Sequence, residues 1–217
     1  MIDWTKITTV FLDLDGTLLD LHFDNHFWLE YVPQCYAQKH SLDIEKSHET
    51  LRQKYSAAYG SLNWYCVDYW TKELQLDIAS LKHSIREKIC VRPYVEEFLQ
   101  ALHMRGKRVV LVTNAHPLSF EIKLQETGIG HYFHRIITSH SLAHAKEEAE
   151  FWLKLEEVEP VDKAATLFID DNFSVLDAAR DYGIEHLLAI KCPDSTEEEK
   201  EHPHYHLLGS FREVAPL

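Results

Sequence analysis

Five short apolar runs, separated by longer amphipathic stretches, constrain the fold of this chain more than any other feature. Residues 7–13 contain the first, Val10-Phe11-Leu12, which suits a strand buried on both faces. Val109-Val110-Leu111-Val112 forms the second and ends in Thr113-Asn114; residues 135–139 form the third. Thr166-Leu167-Phe168-Ile169 leads into Asp170-Asp171-Asn172, and residues 186–190 complete the set. Helical spacing falls between them: Val95, Phe98, Leu99 and Leu102 after Pro93, a stretch over 117–127 stopped by Gly128, Phe151, Trp152 and Leu155, and Val175, Ala178, Ala179 and Tyr182 stopped by Gly183. Pro93 is placed for a first helical position. Strands alternating with helices imply an α/β fold built on a doubly wound parallel sheet.

The ends of these strands carry the chemistry. Asp13 and Asp15 lie two apart on an extended segment and so point the same way, with Leu14 turned aside. Gly16 then lets backbone approach whatever the carboxylates hold. Carboxylates this close either raise one another's pKa or share a cation, and Mg²⁺ suits such an oxygen-rich set. In open parallel sheets ligands bind beyond the carboxyl ends of the strands. That rule gathers Asp13, Asp15, Thr113, Asn114, Asp170 and Asp171 in one crevice, with Lys146 opening a helix after the third strand. Each residue alone has a plainer reading, as a turn, a helix cap or a surface lysine. Together they are the parts of phosphoryl transfer: a carboxylate nucleophile, a second acid, a cation, and a hydroxyl and an ammonium for phosphate oxygens.

Residues 20–91 have a different texture, dense in aromatics and without a strand-like run. Phe27, Trp28, Tyr31 and Val32, and later Ile78, Leu81, Ile85 and Ile89, fall at helical spacing, with Pro33 expected to kink or end the first helix. A small helical bundle inserted after the first strand is the expectation, with domains at 1–19 plus 92–217 and at 20–91.

A net charge of −13 argues against polymeric nucleic acid as a partner but is compatible with a small phosphorylated substrate held through a cation. No apolar run approaches the roughly 20 residues of a membrane helix, and the amino-terminal residues lack the apolar segment of a signal peptide. A cytoplasmic protein with no membrane partner, monomeric or a small homo-oligomer, is expected. Cys35, Cys66, Cys90 and Cys192 show neither disulfide nor zinc spacing and read as reduced. Fifteen histidines include His131 with His134, His140 with His144, and His202, His204 and His206; without a recognised metal pattern they read as solvated. The charged tail from about residue 194 reads as a solvated helix or loop.

Asp13-Leu14-Asp15-Gly16-Thr17, the strand ending in Thr113-Asn114, Lys146 and Asp170-Asp171 resemble, in order, the four motifs of the haloacid-dehalogenase-like hydrolases. The resemblance spans the whole chain and makes residues 20–91 the cap of that Rossmann-like core. Residues 19–28, Leu62-Asn63-Trp64-Tyr65-Cys66 and Thr113-Asn114-Ala115-His116-Pro117 resemble the bacterial GMP/IMP nucleotidase group more closely. The resemblance implies Asp13 as nucleophile and Asp15 as acid and base. It implies Thr113 and Lys146 as phosphate ligands, with Asn114 beside them. Magnesium would be held by Asp13, the Asp15 carbonyl and the 170–171 pair, Asp171 directly and Asp170 directly or one shell out. One departure stands out: the family's lysine is commonly followed by proline, whereas Glu147 follows Lys146, and Lys123 and Lys163 are the poorer alternatives.

If the core performs the chemistry, the insertion selects the leaving group. Trp64, Phe23 and Phe27 are candidates to stack on a purine, and Asn25 or Asn63 to bond its edge. The implied activity is hydrolysis of purine nucleoside 5′-monophosphates. The alternatives are a phosphatase or phosphomutase for another small phosphoester, or a phosphate-responsive regulatory module.

Overall fold

The computed structural model describes residues 2–216. Its sheet has six parallel strands: β1 (Thr9–Leu12), β2 (Arg108–Thr113), β3 (Arg135–Thr138), β4 (Thr166–Asp170), β5 (His186–Ile190) and β6 (Leu207–Leu208). They lie in the order β3-β2-β1-β4-β5-β6, so the first strand is central and its neighbours arrive from far along the chain. The register pairs Leu12 with Leu111 on one side and with Ile169 on the other, which brings the ends of β1, β2 and β4 to one edge.

Alternate side chains feed two separate cores. Val10, Leu12, Val109, Leu111, Leu167 and Ile169 face one layer with Phe98, Leu99 and Leu102 of α6 (Val95–Met104). Phe11, Val110, Val112 and Phe168 face the other, with Phe151, Trp152 and Leu155 of α9 (Ala149–Val158) and Val175, Leu176 and Ala179 of α10 (Phe173–Tyr182). This is the two-residue period of a strand read out on both faces, and it explains why the runs are apolar throughout. Gly128 and Gly183, at φ 72° and 112°, close α7 (Pro117–Thr127) and α10 where a left-handed residue is needed.

Residues 20–91 form α1 (His22–His26), α2 (Val32–His40), α3 (Ile44–Ala58), α4 (Val67–Leu74) and α5 (Ile78–Ser84). The segments entering and leaving this bundle pair with each other: Leu19 bridges Val91, Asp20 N–H donates to the Cys90 carbonyl at 2.9 Å, and Arg92 N–H to the Leu18 carbonyl at 3.0 Å. Pro33, expected to kink or end the first helix, does not end it: the chain stays helical through it. A π turn, Phe27–Tyr31, precedes it, and the Val32 N–H bonds back to Phe27, so the missing Pro33 N–H falls where the ladder has already been widened.

Other expectations are corrected in detail. Pro93 does not open α6; Tyr94 takes a left-handed conformation (φ 65°) and the helix starts at Val95. Lys146 lies in the turn between α8 (Ser139–Leu142) and α9 rather than at a helix start. The tail is not merely solvated: it adds β6 to the sheet and returns Asp194 and Lys200 to the strand edge. All four cysteines are unbridged. Among the described residues no helix is long and apolar enough to cross a membrane.

The bundle has its own core around Trp70, whose ring meets Tyr55 and Tyr69 edge-on at 5.1 and 5.0 Å and whose Nε1–H donates to the Trp64 carbonyl at 2.9 Å. Trp70→Ala is expected to lower unfolding free energy by about 3–5 kcal/mol, read by urea denaturation. A change below about 1 kcal/mol would show that this cluster does not hold the bundle.

Candidate active site

Asp13 follows β1, Asp170 ends β4 and Asp171 follows it, so parallel pairing alone brings three carboxylates together. Ligand oxygens of Asp13, Asp170 and Asp171 lie within 4.8 Å of one another. Lys146 reaches into this group from the α8–α9 turn. Its Nζ donates to Asp13 Oδ1 and Asp170 Oδ2, both at 2.6 Å, and to the Val112 carbonyl at 3.2 Å. Its own backbone is fixed twice: Lys146 N–H donates to Asn114 Oδ1 at 2.9 Å, and Trp152 Nε1–H donates to the Lys146 carbonyl at 2.9 Å.

Burial pushes Asp13 up to about 7 and Asp170 and Asp171 up to about 6, against the pull of Lys146 and with mutual repulsion adding to the rise. Burial also opposes the charge on Lys146, but Asp13 and Asp170 more than offset it and raise its pKa. Two buried acids and a half-buried third, Asp171, thus face one buried ammonium, with Lys200 at the rim 3.4 Å from Asp171. Such a set could hold a hard divalent cation. Gly16 fits the same purpose: at φ 80° a Cβ there would lie 2.8 Å from the Asp171 carboxylate. Asp170 spends both oxygens, one on Lys146 and one on Asn172 N–H at 2.8 Å, whereas Asp171 keeps only the distant Lys200.

Asp15 belongs to a second cluster that sequence reading missed. Lys123, from α7, lies 2.6 Å from both Asp15 Oδ1 and Asp24 Oδ2, and Lys82 donates to Asp24 Oδ1 at 2.8 Å. Asp15 Oδ1 makes a close ion pair with Lys123 but no well-directed hydrogen bond. Burial raises the Asp15 pKa, and it also opposes ionisation of Asp24, where Lys123 and Lys82 prevail and hold the carboxyl well below its usual range. No local sequence pattern marks this cluster, because Lys82 and Lys123 meet Asp15 and Asp24 only through folding.

Thr113 is buried beside the carboxylates, and its Oγ1 accepts from Ala115 N–H at 3.0 Å. Asn114 faces the Lys146 turn instead of open space: its Nδ2 donates to Glu147 Oε2 at 3.0 Å. Glu147, the residue in place of the family's proline, also accepts from the Tyr65 hydroxyl at 2.6 Å and so ties the bundle to the strand edge.

These groups open into a cavity of about 500 Å³ whose bundle side is lined by Trp28, Trp64, Tyr65, Trp70 and Asn25. Phe23 and Phe27 are not part of that lining: both are buried, stacked on each other, and Phe23 lies under the ammonium groups of Lys82 and Lys123. Helical spacing placed the right aromatics on the bundle, but its inward stripe turned these two rings into the core. Asn25 lines the cavity while its Nδ2 donates to Asp194 Oδ2 at 2.7 Å. Asn63 is exposed and lies outside the lining.

The raised acids set a pH dependence. The unfolded chain releases these protons near 3.8, the folded one only at about 6–7, so their contribution to stability is intact below the lower value and lost as pH rises through the upper. A cation between ionised carboxylates restores it. The gain in Tm on adding Mg²⁺ to chelator-treated protein is therefore expected to be larger at about pH 8 than at about pH 5. An equal gain at both would place the ion elsewhere.

A family model for haloacid dehalogenase-like hydrolases matches residues 7–183. The chain is 37% identical over 215 residues to the GMP/IMP nucleotidase YrfG of Escherichia coli (strain K12), covering 99% of this chain and 97% of that one. The Shigella flexneri protein of the same name matches to the same extent. Among solved structures, a HAD phosphatase from Thermococcus onnurineus superposes with a TM-score of 0.80 at 21% identity, over 96% of each chain. The L-2-haloacid dehalogenase of Xanthobacter autotrophicus superposes at 0.62 with 16% identity, over 96% of this chain and 97% of that one. With the sheet order, the strand-edge acids and these relatives in agreement, the chain belongs to the haloacid dehalogenase-like hydrolases, a family of enzymes.

Proposed function

We propose that this enzyme is a Mg²⁺-dependent phosphomonoesterase acting on purine nucleoside 5′-monophosphates, GMP and IMP first. The observation that carries the reading is the buried Asp13–Lys146–Asp170 group opening into an aromatic-lined cavity of about 500 Å³, in a chain 37% identical to a GMP/IMP nucleotidase. That volume suits a small ligand rather than a polymer.

Asp13 is the nucleophile: a carboxylate oxygen bonds to phosphorus as the ester P–O bond breaks, giving an aspartyl-phosphate and the nucleoside alkoxide. Asp15, kept protonated more readily by burial, hands its proton to that alkoxide. As a carboxylate it then takes a proton from water, which attacks phosphorus, breaks the acyl-phosphate P–O bond and returns Asp13. Lys146 and the Thr113 region hold the transferring oxygens. Asp13, the Asp15 carbonyl and Asp171 would hold Mg²⁺, with Asp170 fixed by Lys146 beside them, and the ion would supply positive charge where an anionic nucleophile meets an anionic ester.

Substrate choice falls to the bundle. Trp64 and Trp28 line the cavity wall, and base stacking on an aromatic is worth about 1–3 kcal/mol, or one to two decades over a sugar phosphate. Halide displacement fits less well, because the departing halide needs no proton and Asp15 would have no task.

Phosphate release from a panel of nucleotides and sugar phosphates with Mg²⁺ tests the substrate claim. GMP and IMP are expected to lead, and silence on every purine monophosphate would remove it. Asp13→Asn should abolish turnover while leaving nucleotide binding measurable; a binding module would keep its response to ligand.

Lys123 is assigned as a positioning residue for Asp15. Lys123→Met should slow the first turnover of a nucleotide by about 10²–10⁴-fold, the range of general acid catalysis. An aryl phosphate, whose leaving group departs unprotonated, should lose far less, and Lys123→Arg should recover part of the nucleotide rate. Equal losses on both substrates would end this role for Lys123.

A further inference from the structure

A second set of ligating side chains lies apart from the carboxylates. Cys66 comes from the bundle, at the start of α4; His116 precedes α7 and His140 lies in α8, both on the core. One ligand atom from each lies within 4.8 Å of the others. Their separations in sequence follow no zinc-finger spacing, which is why sequence reading set the cysteines and histidines aside. Folding across the bundle–core boundary brings them together.

The geometry points to a transition-metal site, best suited to Zn²⁺, formed by Cys66, His116 and His140 and clamping the bundle onto the core. Thiolate and imidazole are the donors this ion prefers. A tetrahedral ion with bonds of about 2.0–2.3 Å needs its donors about 3.3–3.8 Å apart, so closure by about 1 Å completes the site. Asp68, in the first turn of α4, lies 3.5 Å from His116 Nε2 and is positioned as a fourth ligand.

Two further observations support a metal over plain packing. His140 Nε2 is buried and has no hydrogen-bond partner, an unusual state for an imidazole nitrogen unless something else occupies its lone pair. Cys66 Sγ already accepts Tyr69 N–H at 3.4 Å, which fixes the sulfur at the boundary; ion binding sends the thiol proton to solvent. Packing alone accounts for the edge-on His116–His140 contact at 4.7 Å, but it leaves the nitrogen unpaired.

Since two of the elements belong to the core and one to the bundle, an ion here resists any separation of the two. Where turnover needs the bundle to lift for product release, the bound ion slows it. The binding claim is independent of the substrate proposed above, so its test begins without substrate.

The full chain is titrated with Zn²⁺ against a chromophoric chelator in excess Mg²⁺, and with Co²⁺ for its spectrum. One tight equivalent is expected, with a thiolate-to-cobalt charge-transfer band. Cys66→Ser should abolish the band, and Cys66→Ser and His140→Gln should each weaken Zn²⁺ binding by on the order of 100-fold or more, beyond the loss typical of an outer-shell partner. Zn²⁺ should then depress Mg²⁺-supported turnover of wild type and spare both variants. Affinity unchanged in the variants, or a cobalt spectrum without thiolate character, overturns the site. Equal inhibition of wild type and variants means Zn²⁺ acts by displacing the ion at Asp13 and Asp171, and overturns the clamp.

Discussion

The ammonium of Lys146 is the contact on which the strand edge depends. It binds Asp13 after β1, the Val112 carbonyl in β2 and Asp170 at the end of β4, so one side chain joins three adjacent strands where their chemistry converges. Without it, acids already raised to about 6–7 by burial would lose their shared counter-charge. Breaking a buried ion pair from one side costs about 3–5 kcal/mol, because the remaining charge stays desolvated. Asn114 and Trp152, which anchor the Lys146 backbone, therefore help to fix the position of this ammonium.

Two buried charge clusters lie side by side and differ in balance. Around Asp13, acids outnumber ammonium groups, an imbalance that a cation could offset. Around Asp15, two lysines match two acids, so Asp15 and Asp24 can be buried with no added ion. The second cluster joins the bundle to the core, since Asp24 and Lys82 come from one and Asp15 and Lys123 from the other. The position of the acid is thereby tied to the position of the bundle.

Much of the core was legible in the sequence because parallel strands buried on both faces leave continuous apolar runs, and Gly128 and Gly183 mark helix ends plainly. The acids at strand ends were legible for the same reason: a topological rule converts chain order into proximity. What escaped notice depends on contacts between distant segments. Lys123 looked like a weak alternative to Lys146 because nothing local shows that it meets Asp24. Phe23 looked like a stacking ring because helical spacing does not say which stripe faces the cavity. Leu207–Leu208 is too short, and its surroundings too charged, for periodicity to reveal an edge strand. Glu147 registered only as a departure from a pattern, whereas its contacts with Tyr65 and Asn114 give it a place of its own.

The paired segments at Leu19 and Val91 constrain how this molecule can breathe. Two crossings bound to each other behave as one ribbon, which twists far more easily than it shears. Rotation about that ribbon carries Asp24, Asn25 and Tyr65 together, so their links to Lys123, Asp194 and Glu147 are strained in concert. The three links therefore share any load that such a rotation places on the bundle.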